Sequence, residues 1–400
     1  MNAWIKIQQR RMTSGRLSSP CRDMLGFSLV EVMVALTIGL VILVGLATIF
    51  AGSRSTYQTD EGLVHLQENG RFAIDYLNRE VRMTGYFGCL HDTRNIVNNV
   101  KSGGGFTADF TKNVVGFEAT GTAPGETFNI ASANPAPSAT ASDWTPALDA
   151  TLQKRVIQGT DVLVIRRAGD DDIRLVSPYN DSAQVFLESG AGLEAGDNLV
   201  VTDCSKASVF QATAVSSGAS KTNVAHAANA NACANWSSGG AAGCPRNSQQ
   251  YRDGAELFKA TTMVFYVGQG SAGGPALFIA RANGGKFDFE EIADGVESMQ
   301  VLYGVDTTAP SSSPLDYADR YLTAKQVNTL YAADPLTGWP RVMSVRVSLV
   351  VRTVNVSGQA DQIVNKDTYV AGGTIINPAD DRRLRRVFNT TIQLRNRIPG

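Results

Sequence analysis

One carboxylate stands inside the most apolar stretch of the chain. Glu31 is the only charged residue in the 25-residue run Phe27 to Ala51, FSLVEVMVALTIGLVILVGLATIFA. An acid inside a membrane segment costs roughly 2.5–3.5 kcal/mol even on a lenient scale, so it calls for a partner. A cut between Gly26 and Phe27 would create one, a positive α-amine four residues before Glu31. In an apolar bundle of such helices, the amine of one subunit could pair with Glu31 of the next, where both charges need a counter-charge.

The element that must carry this pair is a helix. At 1.5 Å per residue the run reaches about 37 Å, against a hydrocarbon core of ~30 Å. Ahead of it, Lys6, Arg10, Arg11, Arg16 and Arg22 stand against Asp23 alone, a local net of +4 in a 400-residue chain whose total is −1. That asymmetry keeps the leader in the cytoplasm and sends the rest across. Two simpler readings fit less well. Gly45-Leu46-Ala47 loosely suits a secretory cleavage site, but the 18 apolar-run residues before it exceed the ~7–15 of signal peptides. A plain anchor leaves Glu31 unexplained. Hydrophobic residues at 43% exclude wholesale disorder, and the near-balanced charge excludes a strong field toward nucleic acid.

The helical pattern continues beyond the membrane. Leu63, Leu66, Gly70, Ile74, Leu77 and Val81 recur at steps of three and four, and no proline occurs from 21 to 123. This predicts one helix from about Phe27 to Arg82, about 84 Å long, whose far half packs one face on a globular domain. Gly39, Gly45, Gly52, Gly62 and Gly70 each cost the helix ~1 kcal/mol. They read as sites of close helix contact.

Gly26-Phe27-Ser28-Leu29-Val30-Glu31 behind a basic leader resembles the type IV prepilin signal. The resemblance implies removal of residues 1–26 by a prepilin peptidase, N-methylation of Phe27, and Glu31 contact between subunits. Further stretches resemble PilW-type minor pilins: Gln67 to Ala73, Arg82 to Cys89, Gly196-Asp197, Thr202 to Cys204, Phe210-Gln211, Asp294 to Glu297, Tyr303 to Asp306, Arg385 to Phe388 and Leu394 to Asn396. The family implies a minor pilin that primes pilus assembly with other minor pilins and the major pilin, near the pilus tip. It also implies an inner-membrane assembly platform, a tip-associated adhesin and membrane lipid as partners. The chain would be a single-pass inner-membrane protein with a periplasmic domain before it enters the pilus. Alternatives are a pseudopilin of a type II secretion system, or an adhesive or DNA-binding tip subunit.

Loss of the leader discards Cys21 and leaves Cys89, Cys204, Cys233 and Cys244. An even set in a translocated domain suggests two disulfides, with three connectivities open. Local pairing of Cys233 with Cys244 would leave Cys89 for Cys204, tying helix to sheet for about 2–4 kcal/mol. Zinc is disfavoured, since no CxxC occurs and only His65, His91 and His226 are present.

Beyond residue 90 the pattern has period two. Met343, Val345, Val347, Leu349 and Val351 alternate with Ser344, Arg346, Ser348, Val350 and Arg352, as in a strand covered on one face. Leu384, Phe388, Ile392 and Leu394 share one parity, and Met299, Val301, Tyr303 and Val305 another. Shorter strands fit 162–166, 183–187, 198–202, 263–267 and 276–280. The expected fold is α+β, a long helix on one or two mostly antiparallel sheets. Its parts are a leader (1–26), a membrane half-helix (27–51), an amphipathic half-helix (52–85) and a β-rich periplasmic domain (86–400). Stretches 101–150, 214–248 and 307–320 read as long loops.

Three motifs could carry other chemistry. Gly268 to Gly273 spells GxGxxG, but Gly274-Pro275 leads into a strand where a dinucleotide site needs a helix, so a glycine-rich hairpin is expected. Asp170-Asp171-Asp172 lacks EF-hand spacing and reads as a solvated turn, not a calcium site. Arg383, Arg385 and Arg395, with Arg382, Arg386 and Arg397 nearby, read as a solvated or subunit-facing strand surface rather than a nucleic-acid site. No catalytic constellation, metal site or cofactor motif emerges, so an enzyme is not expected.

Overall fold

A computed structural model describes residues 26–90, 95–101, 106–170, 172–181, 183–188, 192–233, 236, 250–308, 317–354 and 364–397. The chain forms two compact units, divided between Thr56 and Tyr57. The division falls five residues beyond the 51/52 boundary expected from hydropathy. Helix α1 runs Leu29–Arg82, 54 residues, close to its expected bounds. Glu31 lies in its first turn and Arg79 and Arg82 in its last, each favourable to the helix dipole.

The second unit opens with β1 (Ile96–Asn98), β2 (Val114–Ala119), β3 (Thr127–Asn129), β4 (Trp144–Thr145) and β5 (Val162–Ala168). There follow β6 (Ile173–Asp181), β7 (Gln184–Glu188), β8 (Asn198–Thr202), β9 (Ala207–Gln211), β10 (Ala214–Ser217) and β11 (Lys221–Ala225). Next come β12 (Glu256–Gln269), β13 (Pro275–Asn283), β14 (Lys286–Asp294), β15 (Val296–Val305) and β16 (Arg320–Leu322). Helix α2 (Ala324–Ala333) precedes β17 (Val342–Arg352), β18 (Tyr369–Ala371), β19 (Thr374–Asn377) and β20 (Arg385–Gln393).

Among the described residues these strands make three sheets, one more than expected. The largest is organised by β12, whose first residues pair with β8 and β6 and whose later ones pair with β5 and β13. The four-stranded sheet has the order β16-β15-β17-β20, and the small one β18-β19-β3. Pairing is antiparallel except β1 with β9 and β19 with β3.

The amphipathic half of α1 covers one face of the four-stranded sheet. Leu66, Ala73, Leu77 and Val81 share a core with Met299, Val301 and Tyr303 of β15 and Val345, Val347 and Leu349 of β17. A fully buried Leu contributes about 1.5–3 kcal/mol relative to exposure. Leu63 and Ile74, assigned to the same stripe, are only half-buried. Gly70 is required by packing: a Cβ there would lie 2.3 Å from the Phe388 ring on β20.

Three sequence expectations need correction. β17 is covered on both faces, not one, because Val350 packs with Ile130, Ala371 and Ile376 beneath the small sheet. Its alternation of side chains is real, yet the second face is hidden by an added layer. Stretch 101–150 contains β2, β3 and β4, and 214–248 contains β10 and β11, so neither is simply a loop. Their Gly-, Thr- and Ser-rich composition conceals short strands that gain stability only from neighbours. Stretch 307–320 does hold a loop segment at Thr307, whose hydroxyl and N–H both bond Asp319.

Candidate processing and assembly site

Gly26, Phe27 and Ser28 precede the helix and are exposed. The first helical bond runs from Val32 N–H to the Ser28 carbonyl at 3.1 Å. The Gly26–Phe27 bond therefore lies in non-helical, open backbone, as a peptidase needs. Space around a Cβ built on Gly26 is empty, so nothing in the fold demands glycine there.

From residue 26 to residue 54 every side chain is exposed apart from half-buried Gly39. Phe27, Leu29, Val41, Ile49 and Phe50 are each more than two-thirds exposed. The hydroxyls of Thr37 and Thr48 donate back to the Val34 and Gly45 carbonyls at 2.9 and 2.8 Å. Such local bonding lets a polar side chain sit in lipid. The helix is long and apolar enough to cross a membrane. Glu31 has no ion-pair partner among the described residues. Gly39, Gly45 and Gly52 have open space where a Cβ would go, unlike Gly70.

The other half of α1 is tied down by polar contacts. Asn69 donates to the Asp294 carbonyl at 3.1 Å, and the Thr390 hydroxyl to Asn78 at 3.1 Å. Glu80, buried although charged, accepts from Arg167 at 3.2 Å and from Arg79 at 3.2 Å. A disulfide joins Cys89, just past α1, to Cys204 after β8, with Cα atoms 4.8 Å apart. Cys233 is disulfide-bonded as well. Its candidate partner Cys244 lies outside the described residues, as does Cys21.

The motifs with competing chemistry take structural places. Gly268 to Gly273 turns the β12–β13 hairpin, closed by Gly270 N–H to the Gly274 carbonyl at 2.7 Å. Asp170 pairs with Arg167 at 2.9 Å, and Asp171 lies outside the described residues. Among the described residues no group of three or more His, Cys, Asp or Glu could hold a metal.

The arginine surface departs from expectation. Arg385 is not solvated: its guanidinium is fully buried and bonds Glu297 at 2.7 Å and Asp381 at 2.8 Å. Arg352 adds a second contact to Glu297 at 3.3 Å, and Arg383 a second to Asp381 at 3.0 Å. Burial works against Asp381, but hydrogen bonds from Arg385 hold its carboxyl below the usual range. Parity pointed Arg385 away from the core correctly. It could not reveal Glu297, 88 residues away, waiting on that side. Arg382, Arg386 and Arg395 remain exposed.

Residues 21–47 match the family described as prokaryotic N-terminal methylation motif, and residues 264–396 match type IV pilus-assembly protein W. The chain thus carries a type IV prepilin-type N-terminal motif and a PilW-type C-terminal region. The PilW match covers β12 from Val264 to the end of β20, the part that carries the four-stranded sheet under α1. The PilW-like pieces read at 67–89 and 196–211 lie outside it. No curated protein matches. A type IV-like pilin from Thermus thermophilus is similar at 13% identity, over 57% of this chain and 84% of its own, with a TM-score of 0.21. The two family matches, with the apolar helix, support a membrane-anchored, pilin-like component of pilus assembly.

Proposed function

We propose that this protein is a minor pilin that primes type IV pilus assembly together with other minor pilins, near the pilus tip. The observation that carries the reading is the first half of α1. It is an exposed apolar helix headed by an accessible Gly26–Phe27 bond, with Glu31 lacking a counter-charge among the described residues. Prepilin peptidase frees the Phe27 amine on the cytoplasmic side, and the second unit resides in the periplasm. The helix then leaves lipid for a bundle of pilin helices, guided by Glu31 meeting a neighbour's amine. The major pilin, the inner-membrane platform and a tip adhesin complete the partners. The role is structural rather than catalytic.

Deletion of the gene tests this. Pilin in the sheared surface fraction should fall while the membrane pool is retained. Normal surface pilin would contradict a priming role, and loss of protein secretion in its place would indicate a type II pseudopilin.

A further inference from the structure

His226 lies just past β11 and is the only buried histidine among the described residues, at 0% exposure. Its backbone is pinned. Its own N–H bonds the Ala183 carbonyl at 2.8 Å, and the Ala227 N–H bonds the Thr213 hydroxyl at 3.0 Å. The ring sits in an aromatic nest. It stacks on Trp236 with centroids 4.0 Å apart and planes at 27°, and packs edge-on to Phe210 at 5.3 Å. Phe210 and Trp236 meet each other at 5.2 Å, and Tyr251 closes on Trp236 at 5.7 Å. These three aromatic residues share a core with Val185 and Val224 that is separate from the core under α1. Neither ring nitrogen of His226 has a hydrogen-bond partner.

A neutral imidazole carries one donor and one acceptor, whereas a protonated one carries two donors and a charge. In a dry aromatic site with no acceptor at either nitrogen, the charged state is the worse one. Two influences oppose this. Stacking on Trp236 favours a cation, and so does the backbone carbonyl of His226 itself. Neither replaces a counter-charge. The titratable groups on the packed elements are Tyr251, whose hydroxyl donates to Ser208 at 2.7 Å, and beyond it Asp203 and Lys206. No carboxylate among the described residues acts on the His226 ring. We infer that His226 is an acid-sensitive keystone of this second core, packed as a neutral ring at neutral pH and forcing the Phe210–Trp236 nest open when protonated. Burial lowers its pKa from the ordinary 6.5 to about 4. For a group lowered in the folded state, the contribution to stability is full above the unfolded value. It is lost as pH falls from there toward the folded one. The core around β9 and β11 is therefore firm at neutral pH and loosens in acid, while the core under α1, which buries no histidine, lacks this trigger.

The test uses the full chain in detergent. Hydrogen exchange, corrected for intrinsic rate, is followed from about pH 7 to about pH 4 in β9 and β11, with β15 and β17 as the reference. Opening of β9 and β11 in wild type should rise by up to about tenfold per pH unit, the dependence of one proton taken up. His226→Phe keeps a ring in the nest and removes the charge. It should flatten that rise and leave β15 and β17 as in wild type. Nitrogen NMR of histidine-labelled wild type needs no variant to fold. It should show the His226 ring still neutral at about pH 5, where an ordinary histidine is charged. A charged His226 ring at that pH, no rise in β9 and β11, or an equal rise in His226→Phe would overturn the keystone.

Discussion

Between Leu29 and Arg54 the side chains of α1 point into open surroundings, with Gly39 half-buried. Between Leu66 and Val81 the same helix hides Leu66, Gly70, Ala73, Leu77, Glu80 and Val81. Both halves obey one helical geometry, and both carry glycines. The second half finds its partners within its own chain: β15, β17 and β20, two asparagine bonds, and the Glu80–Arg167 pair. The first half is apolar all round, which is how a helix reads when its surroundings are lipid or other helices. The contrast locates folding contacts in one half and leaves the other half for the assembly contacts proposed above. Glycine behaves accordingly: Gly70 is fixed by Phe388, while Gly45 and Gly52 face empty space.

Substitutions can break this division. The largest effect is expected at the head. Gly26→Val should leave the fold intact yet abolish leader removal, so that essentially all of the chain keeps residues 1–26 on immunoblots. Glu31→Ala comes next. It should be processed normally but be strongly depleted from sheared pili, and equal recovery of the variant would sink the pairing role. Within the helix, matched truncations should separate. Leu77→Ala should destabilise the second unit by about 2–5 kcal/mol in thermal or denaturant unfolding, whereas Leu43→Ala should leave that transition unmoved. Equal effects would show that the first half also contributes to folding. The smallest is at the glycines. Gly70→Ala trades a clash of about 1–3 kcal/mol against a helix gain of ~1 kcal/mol, a modest net loss. Gly45→Ala should not disturb the second unit at all, and unfolding curves of the two variants distinguish them.

Much of this contrast was legible in the sequence. Hydropathy and the steps of three and four at Leu66, Gly70, Ile74, Leu77 and Val81 placed the helix, its apolar half and most of its buried stripe. Period-two runs placed β15, β17 and β20. What stayed hidden depends on contacts between distant residues. Arg385 has the parity of a solvated face, and only the fold brings Glu297 and Asp381 to it. Val350 looked outward until the small sheet covered it. The stripe put Gly70 on the packed face, but no local signal showed that the Phe388 ring, 318 residues further along, demands glycine there. Strands β2 to β4 are short, and their flanks are rich in the residues of turns, so local pattern could not outvote composition. The disulfide between Cys89 and Cys204 was one of three connectivities until the structure brought the two together.

The central claim is that the apolar half of α1 is matured at Gly26–Phe27 and carried into a filament. Mass spectrometry of the N-terminal peptide of this protein, recovered from sheared and purified pili, tests it most directly. A peptide that begins at Phe27 with a methylated α-amine is the predicted result. A chain found only in membranes, one that keeps residues of the leader, or one that begins after Ala47 would contradict the account.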